Sequence, residues 1–284
     1  MKFLCDLYSL AEANVVAFGV PFGKDGKKVL KILREASDLI EPFDLDKKVN
    51  IFDGIRLADI GDLKLKNLEE ITRKCEYLSS LKKLPLMLAR GHLATYFALK
   101  AFDEKVKVLI FDAHCDLKNR YLDETMKSFY KSFVENDKLS KFNGATWLRR
   151  FSEERNNDLM LIGVRSCDEH EFQFMEERRI SYFTPDQLRS DAERVRRKIS
   201  NFTKREEVYV SIDIDVFDPS VAPSVKYPEP GGLFFRDFKW IIGSIKGSLV
   251  GLDLNLHRII KENRMTEFLA SKAVLEALRL YSSD

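Results

Sequence analysis

Short apolar runs alternate with amphipathic segments along the whole chain. The runs are rich in Val, Ile and Leu, which is typical of strands that are buried on both faces. They predict strands over residues 15–19, 57–60, 85–89, 106–111, 159–164, 208–214 and 248–254. The segments between them place apolar residues three and four positions apart, as on one face of a helix. They predict helices over residues 27–39, 67–81, 94–102, 168–177, 185–200, 236–244 and 265–281.

This alternation of strands and helices predicts an α/β protein with a three-layer α/β/α architecture and a mostly parallel central sheet. The 284 residues contain no internal repeat and no linker, so we expect a single domain over residues 1–284. Open parallel sheets bind their ligands beyond the carboxyl ends of the strands. We therefore expect the functional residues directly after the predicted strands.

Composition narrows the choice of partners. The net charge is only +2, which argues against a dedicated nucleic-acid surface. No apolar stretch approaches the roughly 20 residues that span a bilayer, and Asp6 and Glu12 interrupt any signal-peptide core. The cysteines form no CxxC pair, which is typical of a reducing compartment: they are Cys5, Cys75, Cys115 and Cys167. We expect a cytoplasmic protein that binds neither nucleic acid nor membranes.

Two acidic motifs follow predicted strands. Asp112, His114 and Asp116 come after residues 106–111, and Asp213 and Asp215 come at the end of 208–214. Alternate residues of an extended chain point to the same side, so each motif gathers its polar side chains on one face. Four converging carboxylates repel one another unless cations neutralise them. Two divalent ions balance these four charges, which indicates a two-metal hydrolytic centre.

Each of these motifs also admits a purely structural interpretation. An Asp-x-His-x-Asp segment alone could be a surface loop, and turn chemistry accounts for Asp218 before Pro219. Turn chemistry leaves Asp213 and Asp215, two acids in an apolar strand, unexplained. His92 alone would be an ordinary core or surface histidine, but it stands where a strand ends and a helix begins, which makes it a candidate ligand. His170 and His257 lack such a context.

The chain resembles the ureohydrolase family of arginase, agmatinase and formiminoglutamase, and it is most similar to agmatinase-like members. The resemblance is carried by residues 112–116 (DAHCD), 211–223 (SIDIDVFDPSVAP) and 228–233 (PEPGGL). It implies an arginase-like fold and a binuclear manganese centre. One ion would bind to His92, Asp112, Asp116 and Asp213, and the other to His114, Asp112, Asp213 and Asp215. Oxygen and imidazole ligands suit Mn²⁺, with Co²⁺, Ni²⁺ and Fe²⁺ as alternatives.

The resemblance also implies a mechanism. A metal-bridging hydroxide attacks the carbon of a guanidinium or amidine group and expels an amine. Asp116 would hold the nucleophile and move its proton. Asp253 would pair with the cationic head of the substrate, unless it is a strand-end acid that faces water. Asn143 and Asp168 are further candidates for substrate contact, although Asp168 at a helix start could be an N-cap.

Four departures from the family pattern concern the substrate. Arg90 precedes the sequence Gly91-His92, where the family has a small residue, and Asn143 replaces a histidine that could shuttle a proton. The segment between residues 116 and 143 is longer than in a typical agmatinase, and residues 124–134 predict a helix that overhangs the site. Asp253 is one methylene shorter than the family's Glu.

We therefore expect a hydrolase of C–N bonds in small linear guanidino or amidino compounds, with agmatine converted to putrescine and urea. Alternatives are formiminoglutamase activity, which Asn143 favours, arginase-type activity, and a metal-binding member with altered catalysis. The resemblance also implies a homo-oligomer, a trimer or hexamer.

Overall fold

The computed structural model describes residues 2–4, 8–122, 130–131, 134–136, 138–256 and 263–282. Within them lie ten strands: β1 (Val15–Val20), β2 (Phe43–Asp44), β3 (Val49–Asn50), β4 (Leu57–Asp62), β5 (Leu84–Ala89), β6 (Lys107–Phe111), β7 (Leu159–Ile162), β8 (Ser181–Phe183), β9 (Glu207–Asp213) and β10 (Ser248–Asn255). Nine α-helices accompany them: α1 (Gly26–Ser37), α2 (Glu69–Ser80), α3 (Leu93–Leu99), α4 (Trp147–Glu154), α5 (Glu169–Arg178), α6 (Pro185–Ser190), α7 (Ala192–Thr203), α8 (Phe235–Ile242) and α9 (Met265–Ser282).

Eight strands form one sheet in the order β4-β1-β5-β10-β9-β6-β7-β8. Each neighbouring pair in this sheet is parallel, which confirms the predicted mostly parallel sheet. The predicted strands correspond to β1, β4, β5, β6, β7, β9 and β10. The prediction missed β8 and the short antiparallel pair of β2 and β3, because two or three residues are too few to show a period.

Two apolar cores lie on opposite faces of the sheet, and the pleat of the strands divides the residues between them. In β9, Val208 and Val210 belong to one core and Tyr209 to the other. The first core includes residues of α1, α7, α8 and α9, and the second includes residues of α2, α3, α4 and α5. Helices thus cover both faces, and the predicted three-layer architecture is confirmed.

The helices differ from prediction in two places. The single helix predicted over residues 185–200 is broken at Asp191, whose carboxylate accepts a hydrogen bond from the backbone N–H of Arg194 and caps α7. An aspartate favours such a cap because its side chain satisfies an exposed helix donor. Helix α4 was not predicted. The helix predicted over residues 124–134 lies largely outside the described residues, as does His257.

The centre of the sheet brings the predicted site residues together. β5, β10, β9 and β6 are neighbours in this order. Asn255 pairs with both Ala89 and Asp213, and Phe111 pairs with Ile212. The carboxyl ends of all four strands therefore reach the same edge, where the residues that follow β5 and β6 meet the end of β9.

Candidate metal centre

His92 and three carboxylates meet at this edge. His92 follows β5 and stands at the start of α3, Asp112 directly follows β6, and Asp213 ends β9. The Nδ1 atom of His92 lies 2.8 Å from Oδ2 of Asp112, 3.2 Å from Oδ2 of Asp116 and 3.6 Å from Oδ2 of Asp213. These are the residues that the sequence predicts around the first ion.

A second group shares Asp112 with the first. The Nδ1 atom of His114 lies 3.1 Å from Oδ2 of Asp215 and 3.6 Å from Oδ1 of Asp112. In each group, one potential ligand atom of every residue lies within 4.8 Å of the others: the groups are His92, Asp112 and Asp116, and Asp112, His114 and Asp215. Asp112 stands between the two groups, where a bridging carboxylate is expected. The bridging role of Asp213 stays a prediction.

The environment of His92 fits a cation. Among the described residues, its Nδ1 atom is buried without a hydrogen-bond partner. Three carboxylate oxygens lie 2.8 Å, 3.2 Å and 3.6 Å from this nitrogen, so it faces a concentration of negative charge. A nitrogen that faces several oxygens in this way is arranged as in a metal site. On the other side of the ring, Nε2 lies 3.0 Å from Oγ of Ser211, a contact that directs Nδ1 towards the carboxylates.

The pKa values of the metal-type residues are shifted because several charged side chains are buried close together. Burial disfavours the charged form of His114, but hydrogen bonds and the charges of Asp112 and Asp215 outweigh it and raise its pKa to about 12. Burial and the charge of Asp112 raise the pKa of Asp116 to about 6. Burial and the charges of Asp213 and Asp112 raise the pKa of Asp215 to about 7. Without cations, protons balance these carboxylates, and divalent cations would displace those protons.

Trp147 holds Asp116 in place. The indole Nε1 atom donates a 2.7 Å hydrogen bond to Oδ2 of Asp116, and the ring packs against His92 with centroids 4.7 Å apart. Asp116 itself adopts a left-handed backbone conformation, with φ of 53°, which an aspartate tolerates better than most residues. Sequence reasoning missed Trp147, since a tryptophan at the start of a short helix shows no pattern that points to a carboxylate elsewhere.

The structure corrects the predicted place of Asp253. Its carboxylate is fully buried and does not line the cleft above the metal-type groups. It accepts hydrogen bonds from Tyr209 (2.6 Å), Ser211 (2.7 Å) and Asn255 (2.7 Å). Burial raises its pKa to about 6. Asp253 is thus neither a water-facing acid nor in contact with the cleft, and through Ser211 it supports His92.

The structure also corrects the predicted substrate contact of Asn143. Its side chain is fully buried. The amide nitrogen donates to the carbonyl oxygens of Tyr121 and Leu139, each at 2.7 Å, and Oδ1 accepts from the backbone N–H of Ala145 at 3.1 Å. Asn143 therefore shapes the loop, whereas Gly144 and Ala145 line the cleft. The sequence Asn-Gly in a loop is itself a turn signal, so local structure explains this residue.

Arg90, another departure from the family pattern, points away from the cleft. Its Nη1 atom donates a 3.0 Å hydrogen bond to the carbonyl oxygen of Phe22. It is not among the residues that line the cleft. The bulky cation before His92 therefore leaves the space above the metal-type groups open.

The cleft above these groups has a volume of about 380 Å³, and its walls carry both carboxylates and the two lysines Lys118 and Lys226. On one wall, Asp168 accepts the backbone N–H of Glu171 at 2.9 Å and so caps α5, as the N-cap interpretation predicts. It also lies 2.5 Å from Nζ of Lys118. Elsewhere in the lining, Oε1 of Glu229 lies 3.9 Å from Nε2 of His114. Carboxylates in the lining suit a cationic ligand.

Comparison with known proteins assigns the chain to a family. The sequence profile of the Arginase family matches residues 13–279. The chain belongs to the arginase family. An N(1)-aminopropylagmatine ureohydrolase of Thermococcus kodakarensis is 30% identical to this arginase-family chain over 276 residues, covering 89% of this chain and 86% of the relative. The agmatinase of Pyrococcus horikoshii is 30% identical over 241 residues, covering 80% and 76% respectively.

A solved structure agrees with this assignment. The agmatine ureohydrolase of Thermoplasma volcanium superposes on this arginase-family hydrolase with a TM-score of 0.81 and 25% identity, over 99% of this chain and 94% of the other. The predicted arginase-like fold is therefore confirmed. No helix in the described part of the chain is both long and apolar enough to cross a membrane. The expected trimer or hexamer stays a prediction.

Proposed function

We propose that this arginase-family hydrolase binds two manganese ions and cleaves the guanidino group of a small linear cation, converting agmatine to putrescine and urea. The observation that carries the proposal is the pair of His–Asp groups that share Asp112 at the floor of the cleft. Neither group alone would suggest two ions. The shared carboxylate joins them into one binuclear centre.

The donor set favours the metal. His92, Asp116 and Asp213 would hold one ion and His114 and Asp215 the other, with Asp112 between them. Carboxylate oxygens with imidazole nitrogens suit Mn²⁺, and neither metal-type group found among the described residues contains a cysteine. Bound there, the two cations would lower the pKa of a water molecule and supply hydroxide at neutral pH.

The protein contributes proton transfer and orientation. Asp116 is the group that we assign to hold the nucleophile and move its proton, since its carboxylate borders the cleft and lies 3.2 Å from Nδ1 of His92. The indole N–H of Trp147 fixes the direction of this carboxylate. Asp253 and Ser211 act further out, by keeping Nδ1 of His92 directed into the centre. Correct orientation of this kind is a large part of catalysis, since small displacements of reacting groups slow a reaction strongly.

The walls of the cleft favour a substrate with a positive charge at each end. Agmatine carries a guanidinium group and an ammonium group, and N1-aminopropylagmatine adds a further amine. Glu229 and Asp168 offer carboxylates near the cleft opening, where an ammonium group could form charge-assisted hydrogen bonds. The names of the two archaeal relatives support the same substrate class. Arginine carries a carboxylate next to its amine, and Lys118 and Lys226 also line the cleft, so arginine is kept as a competing substrate in the test.

The direct test is a substrate panel. Manganese-loaded protein is offered agmatine, N1-aminopropylagmatine, arginine, guanidinobutyrate and formiminoglutamate, and urea and formamide are measured separately. We expect urea from agmatine at the highest kcat/KM. Formamide from formiminoglutamate alone would replace agmatinase with formiminoglutamase activity. No turnover of any compound, with two manganese ions bound per chain, would reject the hydrolase and leave a metal-binding protein.

A matched pair of variants tests the ligand assignment. Asp213→Asn keeps the shape of the side chain and removes its charge, so we expect bound manganese and activity to be lost together. Asp186→Asn is the control, because the Asp186 side chain is 98% exposed on another part of the surface. Metal content is measured by elemental analysis after gel filtration. Full manganese content in Asp213→Asn would contradict the assignment.

A further inference from the structure

Two cysteines meet beside the candidate metal centre, and the proposed chemistry uses neither of them. Cys115 stands between His114 and Asp116, and its side chain is buried. Cys167 is exposed and borders the cleft. Each thiol shifts the pKa of the other, and Sγ of Cys167 donates to the backbone carbonyl oxygen of Asp168 at 3.4 Å. One of them thus lies in the segment that carries the predicted ligands, and the other can be reached from solvent.

The backbone holds the two cysteine segments side by side. His114 and Ser166 form a parallel bridge, and the carbonyl oxygen of Ala113 accepts hydrogen bonds from Arg165 (2.9 Å) and Ser166 (3.0 Å). Cys115 and Cys167 each come one residue after the bridged pair. Paired strands are about 4.8 Å apart, which falls within the range of about 4.4–6.8 Å that disulfides require between Cα atoms. The bridge therefore holds the two cysteines on neighbouring segments of the backbone.

The two cysteine segments are connected a second time, by Glu171, at the residues that follow Cys115. Glu171 accepts the backbone N–H of Leu117 at 3.0 Å, and its other oxygen binds Nζ of Lys118 at 3.1 Å. The ligand segment is thus attached to the start of α5 on both sides of Cys115. A covalent bond formed here would act directly on His114 and Asp116, since little slack remains to absorb the change.

Accessibility favours Cys167 as the first thiol to react. The interaction with Cys115 lowers the pKa of the Cys167 thiol, although burial opposes this effect. A thiolate that solvent can reach is the form that oxidants attack. Burial raises the pKa of the Cys75 thiol, and the interaction with Cys167 together with burial raises the pKa of Cys115, so Cys167 is the first of these three thiols to react.

We propose that Cys115 and Cys167 form a disulfide when the protein meets a peroxide, and that this bond weakens metal binding at the neighbouring centre. The Cys167 thiolate attacks the peroxide O–O bond, which gives a sulfenic acid and releases water after protonation. The Cys115 thiol then displaces the sulfenic hydroxyl group as a second water. Two thiols and one hydrogen peroxide thus give one disulfide and two waters.

The disulfide is expected to weaken metal binding because its sulfur–sulfur bond is short. The sulfur atoms must approach to about 2.05 Å, far closer than two unbonded sulfur atoms stand. The backbone bonds of Ala113 and Leu117 lie on either side of Cys115, so a strained bond at Cys115 acts on His114 and Asp116 as well. Ligands must be held to within about 0.5 Å for a productive centre. This consequence rests on the proposed function, whereas formation of the disulfide does not.

The experiment separates the two parts. Metal-free protein is treated with hydrogen peroxide, digested without reductant and mapped by mass spectrometry, before and after dithiothreitol. We expect a reducible cross-link between the peptides that contain residues 115 and 167. Cys75→Ser should form the same cross-link, and Cys167→Ser should not. Oxidation of Cys167 only to sulfinic or sulfonic acid, or a cross-link to a different cysteine, would overturn the disulfide.

Calorimetric titration with Mn²⁺ then tests the consequence. We expect the dissociation constant of the oxidised protein to rise at least about tenfold over its own reduced form, as for a displaced ligand. In Cys167→Ser, the dissociation constant for manganese should be the same before and after peroxide treatment. An oxidised protein that contains the mapped disulfide and binds manganese with unchanged affinity would overturn the coupling. Failure of the proposed metal centre is distinct, because the reduced protein would then bind no manganese at all, and failure of the proposed hydrolysis is read separately from the substrate panel.

Discussion

Replacement of Ser211 by alanine tests how the fold directs His92. Oγ of Ser211 lies 3.0 Å from Nε2 of His92 and donates to Oδ1 of Asp253 at 2.7 Å. The serine is fully buried, and alanine differs from it by one oxygen, so the substitution opens almost no cavity. Its effect is therefore confined to the lost hydrogen bonds.

The size of the effect of Ser211→Ala follows from the hydrogen bonds that Asp253 and His92 retain. Asp253 keeps its hydrogen bonds from Tyr209 and Asn255, so its carboxylate stays satisfied. His92 loses the contact of Nε2, and a buried polar group left unsatisfied costs about 1–3 kcal/mol. Loss of a group that orients a metal ligand lowers metal affinity about 10- to 100-fold. That fold-change equals about 1.4–2.8 kcal/mol, the same range as the structural cost.

The assay compares Ser211→Ala with a matched serine. Ser224 is also fully buried, but its Oγ has no hydrogen-bond partner among the described residues. Manganese affinity of the metal-free proteins is measured by calorimetry, and their free energy of unfolding is measured in urea. We expect both to fall in Ser211→Ala and to stay near wild type in Ser224→Ala. The reasoning fails if Ser211→Ala binds manganese as tightly as wild type, or if the control loses as much affinity.

Three further predictions concern the surroundings of the centre. Trp147→Phe keeps the ring against His92 but removes the hydrogen bond to Asp116, so we expect kcat to fall about tenfold with KM nearly unchanged; an unchanged kcat would mean that the indole only packs. Asn143→Ala should lower the free energy of unfolding by about 1–3 kcal/mol in urea, because buried loop carbonyls lose their donor; wild-type stability would contradict this. The metal-free protein should become less stable as pH rises above about 6.5. The folded-state pKa of His114 is raised to about 12, so its stabilisation is complete below the unfolded-state pKa and is lost as pH approaches 12. Urea midpoints that rise over this pH range would refute the assignment.

The metal-type groups could be found from sequence because they depend on strand ends. Apolar runs mark β5, β6 and β9, and the residues after each run follow directly. In a parallel sheet all these ends face the same edge. His92, Asp112 and Asp213 therefore converge whatever the detailed packing of the helices, so the pattern alone is sufficient to predict them.

The supporting residues depend on register, which the sequence does not reveal. Asp253 meets Ser211 because these two residues are paired across β10 and β9. A shift of one residue would turn either side chain to the other face of the sheet. Asn143 and Trp147 depend on the path of a loop, where no period constrains the chain. The sequence predicted a substrate contact for Asp253 and for Asn143, and it predicted no role for Trp147. The hydrogen-bond partners of all three were found only in the structure.

The order of strands has a consequence for how the protein matures. β5 and β9 are not direct neighbours, because β10, the last strand of the described chain, lies between them. His92 and Asp213 can face each other only after β10 has been inserted into the sheet. A nascent chain that still lacks β10 has no assembled site to load, so capture of metal must wait until β10 has been synthesised and inserted.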